Sequence, residues 1–172
     1  MSPKINIGIV SYILSPKSGA RAPIEIAKGL AKNNKVTFYA LSSRKDKKTL
    51  ENFKKLGIEI VLIDNSKLPL LGSLIDCIKL SRLLSKRSHQ ILSTHTTLSL
   101  LLAAVFSRTP TVNTYYGTQF NVLDERYMDR GLSISIINKL LNLIIYIKGF
   151  LLVRIPKEVV GISAYTGNEA RK

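Results

Sequence analysis

The feature that most constrains this chain is an alternation. Short runs of Ile, Val and Leu are separated by stretches whose apolar residues recur every three or four positions. Ile5–Tyr12 (INIGIVSY), Val36–Leu41 (VTFYAL), Ile58–Ile63 (IEIVLI), Ile91–His95 (ILSTH), Thr111–Tyr116 (TVNTYY) and Glu158–Ser163 (EVVGIS) read as strands. Runs this apolar are suited to burial on both faces, the habit of parallel sheets. Between them, residues 20–33 read as a helix with Ile24, Ala27, Leu30 and Ala31 on one face and Pro23 tolerated in the first turn. Lys47–Leu56 follows, closed by Gly57, then 70–86, Leu98–Ser107 and Ser133–Arg154, with another helix beginning at Ala164. Parallel neighbours need a crossover, and amphipathic helices supply it while covering the sheet. The expected fold is α/β: a doubly wound, mostly parallel, Rossmann-like sheet. No internal repeat or low-complexity linker divides residues 1–172, so one domain is expected.

In the helix near 70–86, Leu71, Leu74, Ile75 and Ile78 share the apolar face of the first half, and the stripe then shifts to Leu80, Leu83 and Leu84. Cys77 lies within this pattern and reads as a small core residue. The densest part of the long helix, Leu140–Val153, is shorter than the ~20 residues a membrane span needs and contains Lys148. Packing on the sheet is the preferred reading, ahead of an interfacial membrane helix.

Ligands of such sheets sit outside the carboxyl ends of the strands. That rule selects the loops Ile13–Ala20, Ser42–Lys45, His95–Thr97, Tyr116–Phe120 and Ser163–Thr166. In the first, small residues including Ser18 and Gly19 precede a helix N-terminus, where backbone N–H groups can face an anion, with Lys17 and Arg21 as reinforcing cations. Neither GxGxxG nor GxxxxGK[ST] occurs, so no dinucleotide or P-loop site is indicated, and a plain connection is the competing reading. His95 ends a strand at the ligand edge. On residues alone, satisfaction within the sheet or at the following helix outweighs a ligand role. His89 is expected at the surface. In Tyr115-Tyr116-Gly117-Thr118-Gln119, Gly117 permits close approach or a positive φ, while Tyr116 and Thr118 bring hydroxyls; turn punctuation explains them equally well. No Ser/His/Asp or Cys/His nucleophile, no close carboxylate pair and no Cys/His cluster of zinc spacing is present. The chain holds no self-sufficient active site, and no metal or resident cofactor is expected.

Lys and Arg number 26 against 11 Asp and Glu, a net charge of +15. This favours anionic partners, although a general lysine-rich habit gives the same figure. Nucleic acid is disfavoured because no binding module or basic–aromatic interleaving occurs. The chain runs from Met1–Lys4 into its first strand without a leader pattern, so a cytoplasmic location is expected. Lys79, Arg82 and Lys86 recur at spacings of three and four on one helical face, and Arg44, Lys45, Lys47 and Lys48 form a second basic patch. The first set is a candidate for peripheral binding to an anionic membrane. A solvated basic face is the competing explanation.

Four segments together resemble the N-terminal, acceptor-side lobe of GT-B glycosyltransferases of the retaining family 4 type. Ile24-Glu25-Ile26-Ala27-Lys28-Gly29-Leu30-Ala31-Lys32 leading into Val36-Thr37-Phe38-Tyr39 is similar to that family's "ELARGLA…HEVTVYT". Ile91-Leu92-Ser93-Thr94-His95 resembles "VVHAH", Pro110–Thr118 resembles "PVVVTYHGT", and Val159–Tyr165 resembles "VIAVSEY". The departures are Ser18 for the first Gly of the family's loop, Arg21 where Glu is frequent, Ser93 for the first His of "HAH", and Tyr116 for the "YHGT" His. The resemblance implies front-face, retaining transfer from a nucleotide sugar, which is substrate rather than cofactor. Ser18, Gly19 and Arg21 would approach donor phosphate and acceptor. His95, Tyr116, Gly117 and Thr118 would line the acceptor side; Tyr116 is the catalytic candidate, able to keep the family's role where the backbone carbonyl acts and unable to where the His imidazole is required. The family's donor-binding C-terminal lobe has no counterpart here, so a further segment or a partner chain is expected to supply it, and the lone chain is expected to be inactive. The acceptor class implied is a lipid-linked molecule or glycan. The alternative is a non-catalytic Rossmann-like binding or partner module.

Overall fold

The structure, a computed structural model, describes residues 3–11, 13–16, 21–41, 45–64, 72–95, 98–115 and 136–161. In chain order these form β1 (Asn6–Val10), α1 (Arg21–Ala31), β2 (Lys35–Leu41), α2 (Lys47–Lys55), β3 (Glu59–Ile63), α3 (Gly72–Ser85), β4 (Ile91–His95), α4 (Leu98–Phe106), β5 (Thr111–Tyr115), α5 (Ile136–Arg154) and β6 (Glu158–Gly161). The strands build one sheet in the order β3-β2-β1-β4-β5-β6, with all pairings parallel. This is the doubly wound arrangement, with strand order reversing between β1 and β4.

Strand alternation sorts side chains between two helical layers. Ile7, Ile9, Val36, Phe38 and Ala40 meet Ile24 and Ala27 of α1 and Phe53 of α2. On the opposite face Val10, Tyr39, Leu41, Ile63 and Leu92 meet Cys77, Leu80 and Leu84 of α3 and Leu100, Ala103 and Ala104 of α4. Cys77 is buried, as its position in the pattern indicated. α5 joins the second layer. Asn113 Nδ2 donates to the Leu152 carbonyl at 2.9 Å, and Asn113 Oδ1 accepts from Thr94 Oγ1 at 2.8 Å, tying β4, β5 and α5 together. α2 starts on an Asp46 cap that accepts from the Thr49 N–H at 2.9 Å, and past its end Gly57 takes φ +68°.

Two expectations about burial fail. The α3 stripe is not Leu71, Leu74, Ile75 and Ile78. Leu71 lies outside the described residues, Leu74 and Ile78 are exposed, and Cys77, Leu80 and Leu84 face the core. Burial instead follows the stripe read for the second half of the helix, with Leu80 and Leu84 buried and Leu83 packed against them, and Cys77 joins it. His89 is also not a surface residue. It is 8% exposed, with Nε2 at 2.6 Å from the Tyr39 hydroxyl and Nδ1 at 3.1 Å from Asn6 Oδ1. Gly8 makes room for it, since a Cβ there would meet Leu92 Cδ2 at 2.5 Å and the His89 ring at 3.2 Å. Among the described residues no helix is long and apolar enough to cross a membrane.

Candidate functional site

In open α/β sheets the reversal of strand order marks the place of a ligand crevice. The chain leaves β1 toward α1 on one face and leaves β4 toward α4 on the other, so the connections part above the carboxyl ends of two adjacent strands. Val10 pairs with Thr94, so Ser11 and His95 follow on the two sides of this crevice, and His95 pairs in turn with Thr114. Ser11 (3% exposed), His95 (0%) and Thr114 (8%) are therefore a buried polar row across the ends of three central strands. Strands of this sheet type lie about 4.8 Å apart, which sets the spacing of the row. Ser11 is held by its N–H donating to the Tyr39 carbonyl at 3.0 Å and its hydroxyl donating to the Ile13 carbonyl at 3.3 Å.

His95 projects to the α1 side of the sheet, as Ser93 does, and the Ser93 hydroxyl lies 3.1 Å from His95 Nε2. Burial pushes the His95 imidazole down to about 4, so the ring is neutral at physiological pH. A neutral imidazole can exchange hydrogen bonds with a sugar hydroxyl or a phosphate oxygen but adds no cationic charge. That charge comes from Arg21, exposed at the first position of α1 beside the crevice.

Ser18, Gly19, Tyr116, Gly117 and Thr118 lie outside the described residues, so of the sequence-selected ligand-side residues His95 and Arg21 are the ones placed at this edge. Lys79, Arg82 and Lys86 are exposed together on and just past α3, away from the crevice. Sequence reasoning missed Ser11, Thr114 and the Thr94–Asn113 pair. Their signal was a polar residue inside or ending an apolar strand, a pattern that also fits an ordinary edge or cap. Among the described residues no cluster of His, Cys, Asp or Glu could hold a metal ion.

No protein-family model matches the chain, and no curated protein matches it. Solved structures do. A glycosyltransferase from Rickettsia africae superposes with a TM-score of 0.57 at 16% identity, covering 96% of this chain and 38% of that one. HepE from Anabaena, solved in complex with UDP, gives 0.60 at 16% identity, over 97% and 40% of the two chains. A UDP-N-acetylglucosamine 2-epimerase gives 0.60 at 13% identity, over 98% and 45%. The chain spans less than half the length of these proteins. At such identities the likeness concerns fold, and the chain has the Rossmann-like α/β fold of a single GT-B-type lobe.

Proposed function

We propose that this chain is the acceptor-side lobe of a retaining glycosyltransferase, acting with a donor-binding lobe supplied by a further segment or a partner chain. The observation that carries this reading is the buried Ser11–His95–Thr114 row at the switch point, with Arg21 at the adjoining helix start. A crevice of neutral hydrogen-bonding groups with a cation at its rim suits a sugar linked to phosphate. The sharing of this fold with glycosyltransferases and a sugar-nucleotide epimerase supports the same substrate class.

In this reading Arg21 and the Ser18-Gly19 loop approach the donor phosphate, and His95, Gly117 and Thr118 line the acceptor side. The bond between the sugar anomeric carbon and the nucleotide phosphate breaks while the acceptor oxygen bonds to that carbon on the same face. The acceptor proton passes to the departing phosphate oxygen. Tyr116 presents its backbone carbonyl to the reacting sugar, and fixed dipoles stabilise the charge that develops. The acceptor is a lipid-linked molecule or a glycan. Tyr116, standing where the resembling family has His, favours a second reading: a non-catalytic binding module.

The test combines the chain with a donor-lobe polypeptide and a nucleotide sugar. Expected are no turnover by the chain alone, transfer with retained anomeric configuration by the pair, and a loss of about a hundredfold in kcat/KM for Arg21→Ala. Robust turnover by the lone chain overturns the half-enzyme reading. Binding of the donor-lobe polypeptide without transfer assigns the chain to the module class.

A further inference from the structure

A second polar cluster lies at the amino edge of the sheet, the end opposite the crevice. His89, in the connector between α3 and β4, sets its ring between Tyr39 of β2 and Asn6 of β1, and both His89 and Tyr39 are buried. The hydrogen bonds decide which ring nitrogen carries the proton. Asn6 Nδ2 donates to the Ser88 carbonyl at 2.9 Å, and a carbonyl can only accept, so Asn6 turns Oδ1 toward the ring. His89 Nδ1 therefore carries the hydrogen and donates to Asn6 Oδ1. In the neutral ring Nε2 is then a lone-pair acceptor, filled by the Tyr39 hydroxyl at 2.6 Å. Tyr39 keeps its proton, since burial pushes the phenol up to about 12. The backbone holds the same connector: the Gln90 N–H donates to the Asn6 carbonyl and the Asn6 N–H donates to Gln90 Oε1, both at 2.9 Å.

This seat has no place for a second proton. Nδ1 is already protonated, so the proton enters at Nε2 and aims an N–H at the hydroxyl that is donating to it. The Tyr39 hydrogen would then need another acceptor inside the core. Burial disfavours the cation first, and Arg87 and Lys35 repel it. The attracting carboxylate, Glu59, is already paired with Arg87 and accepts from Thr37 Oγ1 at 3.1 Å. The α3 and α4 side chains clustered with Tyr39 bring no charge: they are apolar apart from Cys77, a thiol that burial pushes up. We propose that His89 is the bolt of an acid-operated latch: a proton on Nε2 expels the ring from its seat and releases residues 86–90 from the amino edge of β1 and β2. The released segment leads into Ile91, which pairs with Ile7 of β1, so the latch guards the strand pairing at which the sheet order reverses. The proposal is independent of the transferase reading.

The test follows the 172-residue chain between about pH 7.5 and 5 by amide exchange, corrected for the intrinsic effect of pH, and by 15N spectra of its two histidine rings. At neutral pH His89 should show the Nδ1–H tautomer. Below about pH 6.5, each unit should make opening of residues 86–92 up to about tenfold more frequent, because the open form takes up a proton that the seated ring refuses. Exchange in α1 and β5 should not follow. His89→Gln offers Tyr39 an acceptor that cannot be protonated, and should abolish the pH dependence. Tyr39→Phe should open the segment about fivefold more often already at neutral pH and flatten the dependence, because the neutral ring has lost the bond that seats it. His95→Gln should leave the dependence intact. Protonation of His89 without faster exchange in residues 86–92, an Nε2–H tautomer at neutral pH, or equal acceleration in α1 and β5 overturns the proposal. So does a pH dependence that survives His89→Gln or vanishes in His95→Gln. If His89→Gln does not fold, Tyr39→Phe decides, and a profile unchanged from that of the unsubstituted chain overturns the latch.

Discussion

The two helical layers of this sheet use apolar residues in opposite ways. On one side α1 and α2 turn Ile24, Ala27 and Phe53 inward and set Glu25, Lys47 and Lys48 toward water, with Glu25 and Lys28 paired at 2.8 Å. On the other, α5 buries Leu152 and holds Leu143, Ile144, Ile147 and Phe150 out. Composition does not distinguish the two cases in advance, because both layers offer more than enough apolar surface. What differs is the neighbourhood. α1 and α2 span β1, β2 and β3, whose inner faces are wholly apolar, whereas α5 meets a β5 carrying Asn113 and anchors through a hydrogen bond. A helix held by a polar clasp does not need its whole apolar stripe for packing.

The comparison can be broken most directly by truncating one aromatic on each side. Phe53 is fully buried and packs edge-on against Phe38 with centroids 5.1 Å apart. Phe53→Ala should cost about 3–5 kcal/mol in chemical denaturation. Phe150→Ala should cost less than about 0.5 kcal/mol. Equal losses would mean that the α5 face is packed after all.

A smaller effect comes from acid. His95 has its ordinary value of 6.5 depressed to about 4 by burial, and burial, followed by the Arg87 charge, lowers His89 as well. The unfolded chain therefore takes up protons that the folded chain refuses. Stability should be flat above about pH 6.5, fall as pH drops through the interval down to about 4, and lose roughly 3 kcal/mol from His95 alone across that window. Ligand in the crevice should oppose the fall if it contacts the neutral ring. A stability profile indifferent to pH between those limits would remove His95 from the buried row.

The clasp is next. Asn113→Ala leaves the Thr94 hydroxyl without its acceptor and the Leu152 carbonyl without its donor, and should cost about 2 kcal/mol. Amide exchange along α5 should speed up more than along α1. Uniform acceleration in both layers would show that the clasp has no special part in holding α5.

The smallest effect contrasts two helix ends. Gly57 behind α2 and Arg108 behind α4 both have positive φ, at +68° and 63°, but only one is glycine. A Cβ at Gly57 would meet nothing within 4 Å, so Gly57→Ala acts through backbone strain alone. It should destabilise by about 1 kcal/mol. Arg108→Gly should stabilise by about 0.5–1 kcal/mol by relieving the same strain. Thermal denaturation of the two variants resolves the sign.

Much of this molecule was legible in its residues. The six apolar runs became the six strands, β4 ended at His95 as read, and Gly57 closed α2. Those features are local: β-branched runs, helical periodicity and a glycine after a helix act through neighbours in sequence. Parallel pairing was also legible, because alternation leaves little else possible. Which strands became neighbours, and which side chains met, was not. β4 lies beside β1 rather than β3, and that long-range pairing alone aligns Ser11, His95 and Thr114 at the switch point. His89 looked like a surface residue because nothing adjacent in sequence reveals Tyr39 and Asn6, which lie 50 and 83 residues away. Leu74 and Ile78 looked buried because periodicity reports how apolar a helix face is, whereas burial depends on what stands opposite. Local amphipathy determined the elements of this protein; only the tertiary pairing of distant strands and helices decided which faces were covered, because burial is a property of two surfaces and a sequence pattern describes one.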